Sequence, residues 1–153
     1  MTERPQSGAP KAWYGAGLRF GCTSCGACCT GDPGAVWVSA LEIARLADHL
    51  GVSLGEMDRR YLRLRGIRKA LYERFNGDCI FYDREGGGCR VYSARPVQCR
   101  TWPFWEPLVE TRRAWQVVCE ACPGCGQGEL VSQEIIVRHQ ALLAKAREGA
   151  GPE

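Results

Sequence analysis

Four cysteines fall within eight residues, in Cys22-Thr23-Ser24-Cys25-Gly26-Ala27-Cys28-Cys29. No other stretch restricts the fold as much. Two residues between thiols let a tight turn bring both sulfurs to one ion, which is why C-x2-C spacing recurs in zinc and iron–sulfur sites. The spacing occurs as Cys22-x2-Cys25-x2-Cys28 and again as Cys119-x2-Cys122-x2-Cys125. With Cys79, Cys89 and Cys99 the chain carries ten thiols in 153 residues. Free cysteine is also a good core residue. That reading suits a lone thiol such as Cys79, but not Cys119 to Cys125, whose surroundings are rich in Gly, Pro and Glu.

The adjacent pair Cys28-Cys29 adds a constraint. In extended chain, neighbouring side chains point to opposite sides. The pair is then expected to serve two centres, or to include one thiol that is not a ligand. Ten thiols supply at most two four-cysteine centres with two left over.

Size and composition bound the rest. The length suits one domain with a modest core. A formal net charge of +3 is too small to imply nucleic acid by itself. The N-terminal stretch has no apolar run long enough for a signal peptide. No run of about 18 apolar residues offers a membrane span. The expected compartment is the cytoplasm. Thiols stay reduced there, and dense cysteine reads as metal-binding or catalytic rather than as disulfides.

The local grammar predicts a small α+β domain, loop-rich and stapled by metal, with about three helices and a short antiparallel β meander. Residues 1–16 read as a flexible tail, 17–147 as the cysteine-cluster domain and 148–153 as a second tail. Leu18 to Gly21 is an extended lead-in and Val36 to Val38 a brief strand. Ser39 with Glu42 forms a capping box, followed by Ile43, Leu46, Ala47 and Leu50 at helical spacing and a stop at Gly51. Ser53 with Glu56 repeats the signal, and Leu54, Met57, Tyr61 and Leu64 predict a second helix ending at Gly66. Asn76-Gly77 is a hairpin signal between strands at 69–75 and 79–82. Gly86-Gly87-Gly88 turns the chain into a strand at 89–92. Arg95-Pro96 favours a short helix over 96–101 carrying Cys99. Residues 114–118 read as a strand. A last helix is expected over 132–147, with Ile135, His139, Leu142 and Ala146 on one face.

Zinc and an iron–sulfur cluster both accept all-thiolate ligation. The C-x2-C-x2-C triples resemble a ferredoxin half-motif, and Cys122 precedes Pro123 as a ferredoxin's last ligand does. The fourth cysteine three residues on is absent from both. His49 and His139 lie on expected helices and read as packed or surface residues rather than ligands.

Together these residues resemble the YkgJ-type cysteine-cluster family, the CxxCxxCC domain described as a "putative zinc- or iron-chelating domain". The resemblance rests on Phe20 to Cys29, on Cys79-Ile80-Phe81-Tyr82 and on Cys89-Arg90-Val91-Tyr92. Arg95-Pro96-Val97-Gln98-Cys99-Arg100, Trp102-Pro103-Phe104 and Cys122-Pro123-Gly124 complete it. It covers roughly residues 18–147. It implies Cys22, Cys25, Cys28, Cys29, Cys79, Cys89 and Cys99 as ligands, with Cys122 as a late addition and Cys119 and Cys125 as less regular members. It brings no established reaction.

Around the thiols, Arg95 and Arg100, with Arg19, are candidates to offset thiolate charge and tune a cluster. Surface roles weigh equally for Arg95. Trp102, Phe104, Trp105, Trp37 and Trp115 read as a shield, in preference to an aromatic substrate shelf. Arg59 to Lys69 reads as a solvated basic face rather than an RNA contact. Three functions follow. The first is a metal-binding protein acting in redox, metal handling or sensing, and it is preferred. The second is a metal-dependent enzyme, for instance in protein modification. The third is a structural zinc module for a protein or RNA partner. Metal is thus the expected partner, a protein partner stays open, and neither nucleic acid nor a membrane is favoured.

Overall fold

The computed structural model describes residues 12–30 and 34–149. The expected tails fall largely outside them, at 1–11 and 150–153. The piece from Trp13 to Ala16 forms a turn, and the Trp13 indole N–H donates to the Val109 carbonyl at 2.7 Å.

Six α-helices and four short strands are present among the described residues. The strands make two separate antiparallel pairs, not a meander. β1 (Leu18–Phe20) pairs with β4 (Glu129–Val131), with Arg19 opposite Leu130. β2 (Leu62–Arg65) pairs with β3 (Arg68–Leu71), with Leu62 opposite Leu71. The class is the α+β that the sequence predicts, with twice the expected helices.

The first helix, α1 (Ala40–Leu50), forms for the reasons its sequence supplies. The Ser39 hydroxyl accepts from the Glu42 N–H, the Glu42 carboxylate accepts from the Ser39 N–H, and Gly51 closes the helix in a left-handed conformation. Such a cap stabilises by about 1 kcal/mol. Its buried stripe, Leu46 and Ala47, packs against α2 (Leu54–Tyr61), capped by Ser53. Leu46 and Met57 are fully buried, each contributing about 1.5–3 kcal/mol of hydrophobic stabilisation.

That second helix stops at Tyr61, not Gly66. Leu62 and Leu64 also satisfy the two-residue strand period. Antiparallel pairing of Leu62–Arg65 with Arg68–Leu71 selects the strand, and of the two leucines only Leu62 is buried. Gly66, at φ +64°, makes the turn of this hairpin, and the chain also reverses at the expected Asn76-Gly77, where the Gly77 N–H donates to the Arg74 carbonyl at 2.9 Å. Around Asn76-Gly77 only isolated bridges form, including Glu73 to Cys79.

Residues 114–118 are helical, not extended. They lie in α5 (Arg112–Ala121), whose cap is Thr111 accepting from the Ala114 N–H. Trp115 and Val118 bury one side, at a three-residue interval that a strand would split between two faces. The short helices α3 (Val97–Arg100) and α4 (Glu106–Val109) precede it. The last helix, α6 (Gln133–Gly149), buries Ile136 and Leu143 and leaves Ile135 and Leu142 exposed. Its inward face is rotated by one residue from the expected one.

Two apolar cores result. The first joins α1, α2, Leu71, Phe81 and Val91. The second joins Leu18, Phe104, Trp115, Val118 and Ile136. The thiols lie along both.

Candidate metal centre

The loop after β1 carries the first four cysteines. Ser24 (φ +56°) and Gly26 (φ +81°) both take left-handed backbone, which reverses the chain within the motif. The Cys29 N–H donates to the Gly26 carbonyl at 2.9 Å, and the Thr30 hydroxyl donates to the same oxygen at 2.9 Å. Ala27 to Cys29 therefore form a turn, not extended chain. This removes the extended-chain premise on which the adjacent pair was divided between two centres. Cys28 and Cys29 face one cavity, with their Sγ atoms 3.9 Å apart. Two thiolates on a tetrahedral zinc at about 2.3 Å would stand about 3.8 Å apart.

The middle cysteines are presented by two copies of one local device. In Cys79-Ile80-Phe81-Tyr82 the Tyr82 N–H donates to the Cys79 carbonyl at 2.9 Å. In Cys89-Arg90-Val91-Tyr92 the Tyr92 N–H donates to the Cys89 carbonyl at 3.2 Å. Each turn drives its third residue into the first core, where Phe81 is 1% and Val91 0% exposed. Burial of Phe81 and Val91 thus anchors the thiol two residues earlier at the cavity. The Arg90 N–H joins the copies through the Phe81 carbonyl (2.9 Å), and the Cys79 N–H joins the first copy to the ligand loop through the Cys29 carbonyl (2.8 Å). Cys99 comes from α3, after Arg95-Pro96.

Six of the eight free cysteines converge in this way. Cys22, Cys28, Cys29, Cys79, Cys89 and Cys99 line one cavity of about 70 Å3. Arg95 lines it too, held by its Nε–H to the Tyr92 carbonyl (2.9 Å) and by its guanidinium 3.7 Å from the Tyr92 ring centre. Trp102 and Trp105 form one wall, packed edge to face at 5.0 Å. The Trp105 indole N–H is anchored on the Gln98 carbonyl at 3.0 Å. Gln98 itself accepts from the Trp37 N–H and donates to the Ala35 carbonyl, tying α3 to the chain that follows the ligand loop. A groove of about 280 Å3, shared with Cys28, Cys29 and Cys79, leads away past Glu73.

The remaining expected residues lie elsewhere. Cys25 is exposed and does not line the cavity. Cys122 is buried in the second core. Cys119 and Cys125 are bonded to each other as a disulfide, and in that state neither can be a thiolate ligand. The expectation of reduced thiols throughout does not hold at this pair. Arg100 is absent from the lining, and its charge instead acts on His139. Arg19 donates to the Gly128 carbonyl. Of the five shielding aromatics only Trp102 and Trp105 reach the cavity. Phe104 and Trp115 stack on each other in the second core, and Trp37 lies under Arg68. Composition and spacing assign Gln98 and Tyr92 no role. Their position flanking Arg95 and Cys99 was the available signal.

The electrostatics suit a site that takes up a cation. The thiol bond from Cys29 brings Cys28 down to about 7, and Arg95 helps against the cost of burial. The same bond pushes Cys29 up, with burial adding to it. Burial raises Cys79, Cys89 and Cys99. Metal binding must therefore displace protons from most of these thiols. Among the described residues, no three His, Cys, Asp or Glu side chains are already gathered about one point. The donors fit zinc or iron in kind, and Cys28 with Cys29 fits in distance. A third and fourth ligand would have to turn their side chains inward.

Residues 21–123 match the family model described as "CxxCxxCC: Putative zinc- or iron-chelating domain". An uncharacterized protein of Methanocaldococcus jannaschii, MJ0661, is 31% identical over 91 residues, which is 60% of this chain and 48% of that protein. The chain thus spans about half the length of this curated relative. No solved structure matches.

Proposed function

The chain belongs to the CxxCxxCC family of zinc- or iron-chelating description, and from that premise we propose that its cavity thiols hold zinc or an iron–sulfur cluster, for a role in redox chemistry, metal handling or sensing. One observation carries the proposal. Six thiols from four separate parts of the chain meet at one cavity with a single guanidinium, that of Arg95, in its lining. Cys22, Cys28, Cys29, Cys79, Cys89 and Cys99 would supply the ligands. Arg95 would offset their charge. Trp102 and Trp105 would limit water, which for an iron–sulfur centre shifts its potential. An iron–sulfur cluster would supply one-electron transfer, and zinc a redox-silent Lewis acid.

The groove past Glu73 supports a second reading, a metal-dependent enzyme acting on another molecule, for instance in protein modification. Cys22 and Cys28 are exposed at the cavity edge, so the centre would be reachable from solvent. A closed structural zinc site would bury its thiolates, and the structural module is accordingly the weaker reading.

The test is metal and acid-labile sulfide content, with a visible spectrum, on protein purified without oxygen. Brown protein with iron and sulfide selects the cluster. Colourless protein with stoichiometric zinc selects zinc. Protein carrying neither refutes the proposal.

A further inference from the structure

The third cysteine group stands apart from the cavity. Cys119 lies near the end of α5, and Cys125 follows in the loop, bonded to it with Cα atoms 4.8 Å apart. None of Cys119, Cys122 and Cys125 lines the thiol cavity. All three pack with the second core, whereas Cys79 and Cys89 pack with the first. Cys125 lies beyond the segment that matches the family.

The two bonded cysteines differ in exposure. Cys125 is 8% exposed and Cys119 is half-buried. The loop that joins them is held by its own hydrogen bonds. The Cys122 N–H donates to the Val118 carbonyl (2.8 Å), the Cys125 N–H to the Cys122 carbonyl (3.0 Å), and the Gly126 N–H to the Arg19 carbonyl (2.9 Å). The backbone thus holds Cys125 beside Cys119 independently of the sulfur bond.

We propose that Cys119 and Cys125 form a second functional site, a dithiol that exchanges with low-molecular-weight thiols and disulfides, with Cys119 as the sulfur that meets them. In the oxidising direction the Cys119 thiolate attacks one sulfur of a small disulfide such as oxidised glutathione. That S–S bond breaks, one small thiolate leaves, and a mixed disulfide forms on Cys119. The Cys125 thiolate then attacks the Cys119 sulfur and expels the second small thiolate. Two protein thiols are oxidised, one small disulfide is reduced to two thiols, and these carry away the two protons. In the reducing direction a small thiolate attacks Cys119, the more exposed residue of the pair, and the Cys125 thiolate leaves; a second small thiolate then attacks the small-thiol sulfur of the mixed disulfide, releasing Cys119 and re-forming the small disulfide.

The test is equilibration of the full chain, purified without oxygen with its metal, in glutathione buffers of graded oxidised-to-reduced ratio. Acid quenching, alkylation and peptide mass spectrometry then read each cysteine. The expected result is one reversible transition in which Cys119 and Cys125 change together, while Cys79, Cys89 and Cys99 keep one state. Cys125→Ser should trap glutathione on Cys119. Cys119→Ser should leave Cys125 unmodified. Thiols that never pair at any ratio, or a pair that excess reduced glutathione cannot open, would overturn the proposal. So would a fall in metal stoichiometry in Cys119→Ser to below about half the wild-type value, which would make the pair part of the metal centre. The wild-type titration decides the matter even if a variant fails to fold.

Discussion

The ring of Tyr82 lies where a side chain on Gly26 would begin. A Cβ built at Gly26 would fall inside contact distance of the phenol end of that ring, and Gly26 itself sits at φ +81°. The glycine inside the first cysteine motif is thus fixed by two independent demands. Gly26→Ala should cost about 1–3 kcal/mol, combining the left-handed backbone with displacement of Tyr82. At roughly 2–4 °C per kcal/mol for a chain of this size, thermal melting should fall by several degrees and metal content should fall with it. An unchanged melting temperature would mean the ring moves aside freely.

Cys25 and Cys28 belong to one motif but stand differently, one outside the cavity and one lining it. Cys28→Ser should weaken metal affinity at least tenfold, since even groups behind a ligand are worth about 10–100-fold. Cys25→Ser should have a smaller effect. Competition with a chromogenic chelator measures both. Equal losses would show that binding draws Cys25 in.

The hydrogen bond from Cys29 is the main cause that brings Cys28 down to about 7, and the Arg95 charge adds to it. Removing the guanidinium removes part of that lowering. In metal-free protein, Arg95→Ala should move the pH midpoint of Cys28 alkylation upward. Arg95→Lys should move it less. A midpoint unchanged in Arg95→Ala would place the charge too far away to matter.

Asp78 is buried, and two bonds from Arg84, at 2.5 and 2.8 Å, hold its carboxyl below the usual carboxylate range. Its folded pKa lies below its unfolded value of about 3.9. The stabilisation is therefore complete above that value and disappears as pH falls through the folded one. Urea midpoints of the wild type should drop in that acid window. Arg84→Ala should lower the midpoint at neutral pH and flatten the drop. Parallel curves for the two proteins would remove Arg84 as the cause.

Metal removal should loosen the cavity side of the first core before the second core, because Cys79 and Cys89 are next to Phe81 and Val91 while Trp115 and Ile136 are not. Hydrogen exchange after chelation should rise around 79–92 and less around α5. Uniform exchange would mean that the two cores unfold together.

Short-range chemistry made much of this legible. The Ser-x-x-Glu signals located two helix starts, as a full capping box at Ser39 and a single Ser53 cap, and the residue before Pro96 located the turn into Cys99. Errors arose where two periods fit the same residues, as at Leu62 and Leu64, or where a helix start went unread, as at Thr111 ahead of Val117 and Val118. The ten thiols identified themselves, but their partition did not. It depends on chain reversal at Ser24 and Gly26 and on which core each segment joins. These are tertiary facts that spacing does not contain.

The pairing of β1 with β4 has a consequence for anyone trimming this protein. Both strands, at Leu18–Phe20 and Glu129–Val131, lie outside the segment 21–123 that defines the family. The Gly21 N–H that precedes Cys22 is likewise held by the Gly124 carbonyl, at 3.0 Å. A fragment cut to the family boundaries would keep nine of the ten cysteines and lose the tether on the first of them. The recognisable unit of sequence is smaller than the unit that can anchor its own first cysteine loop.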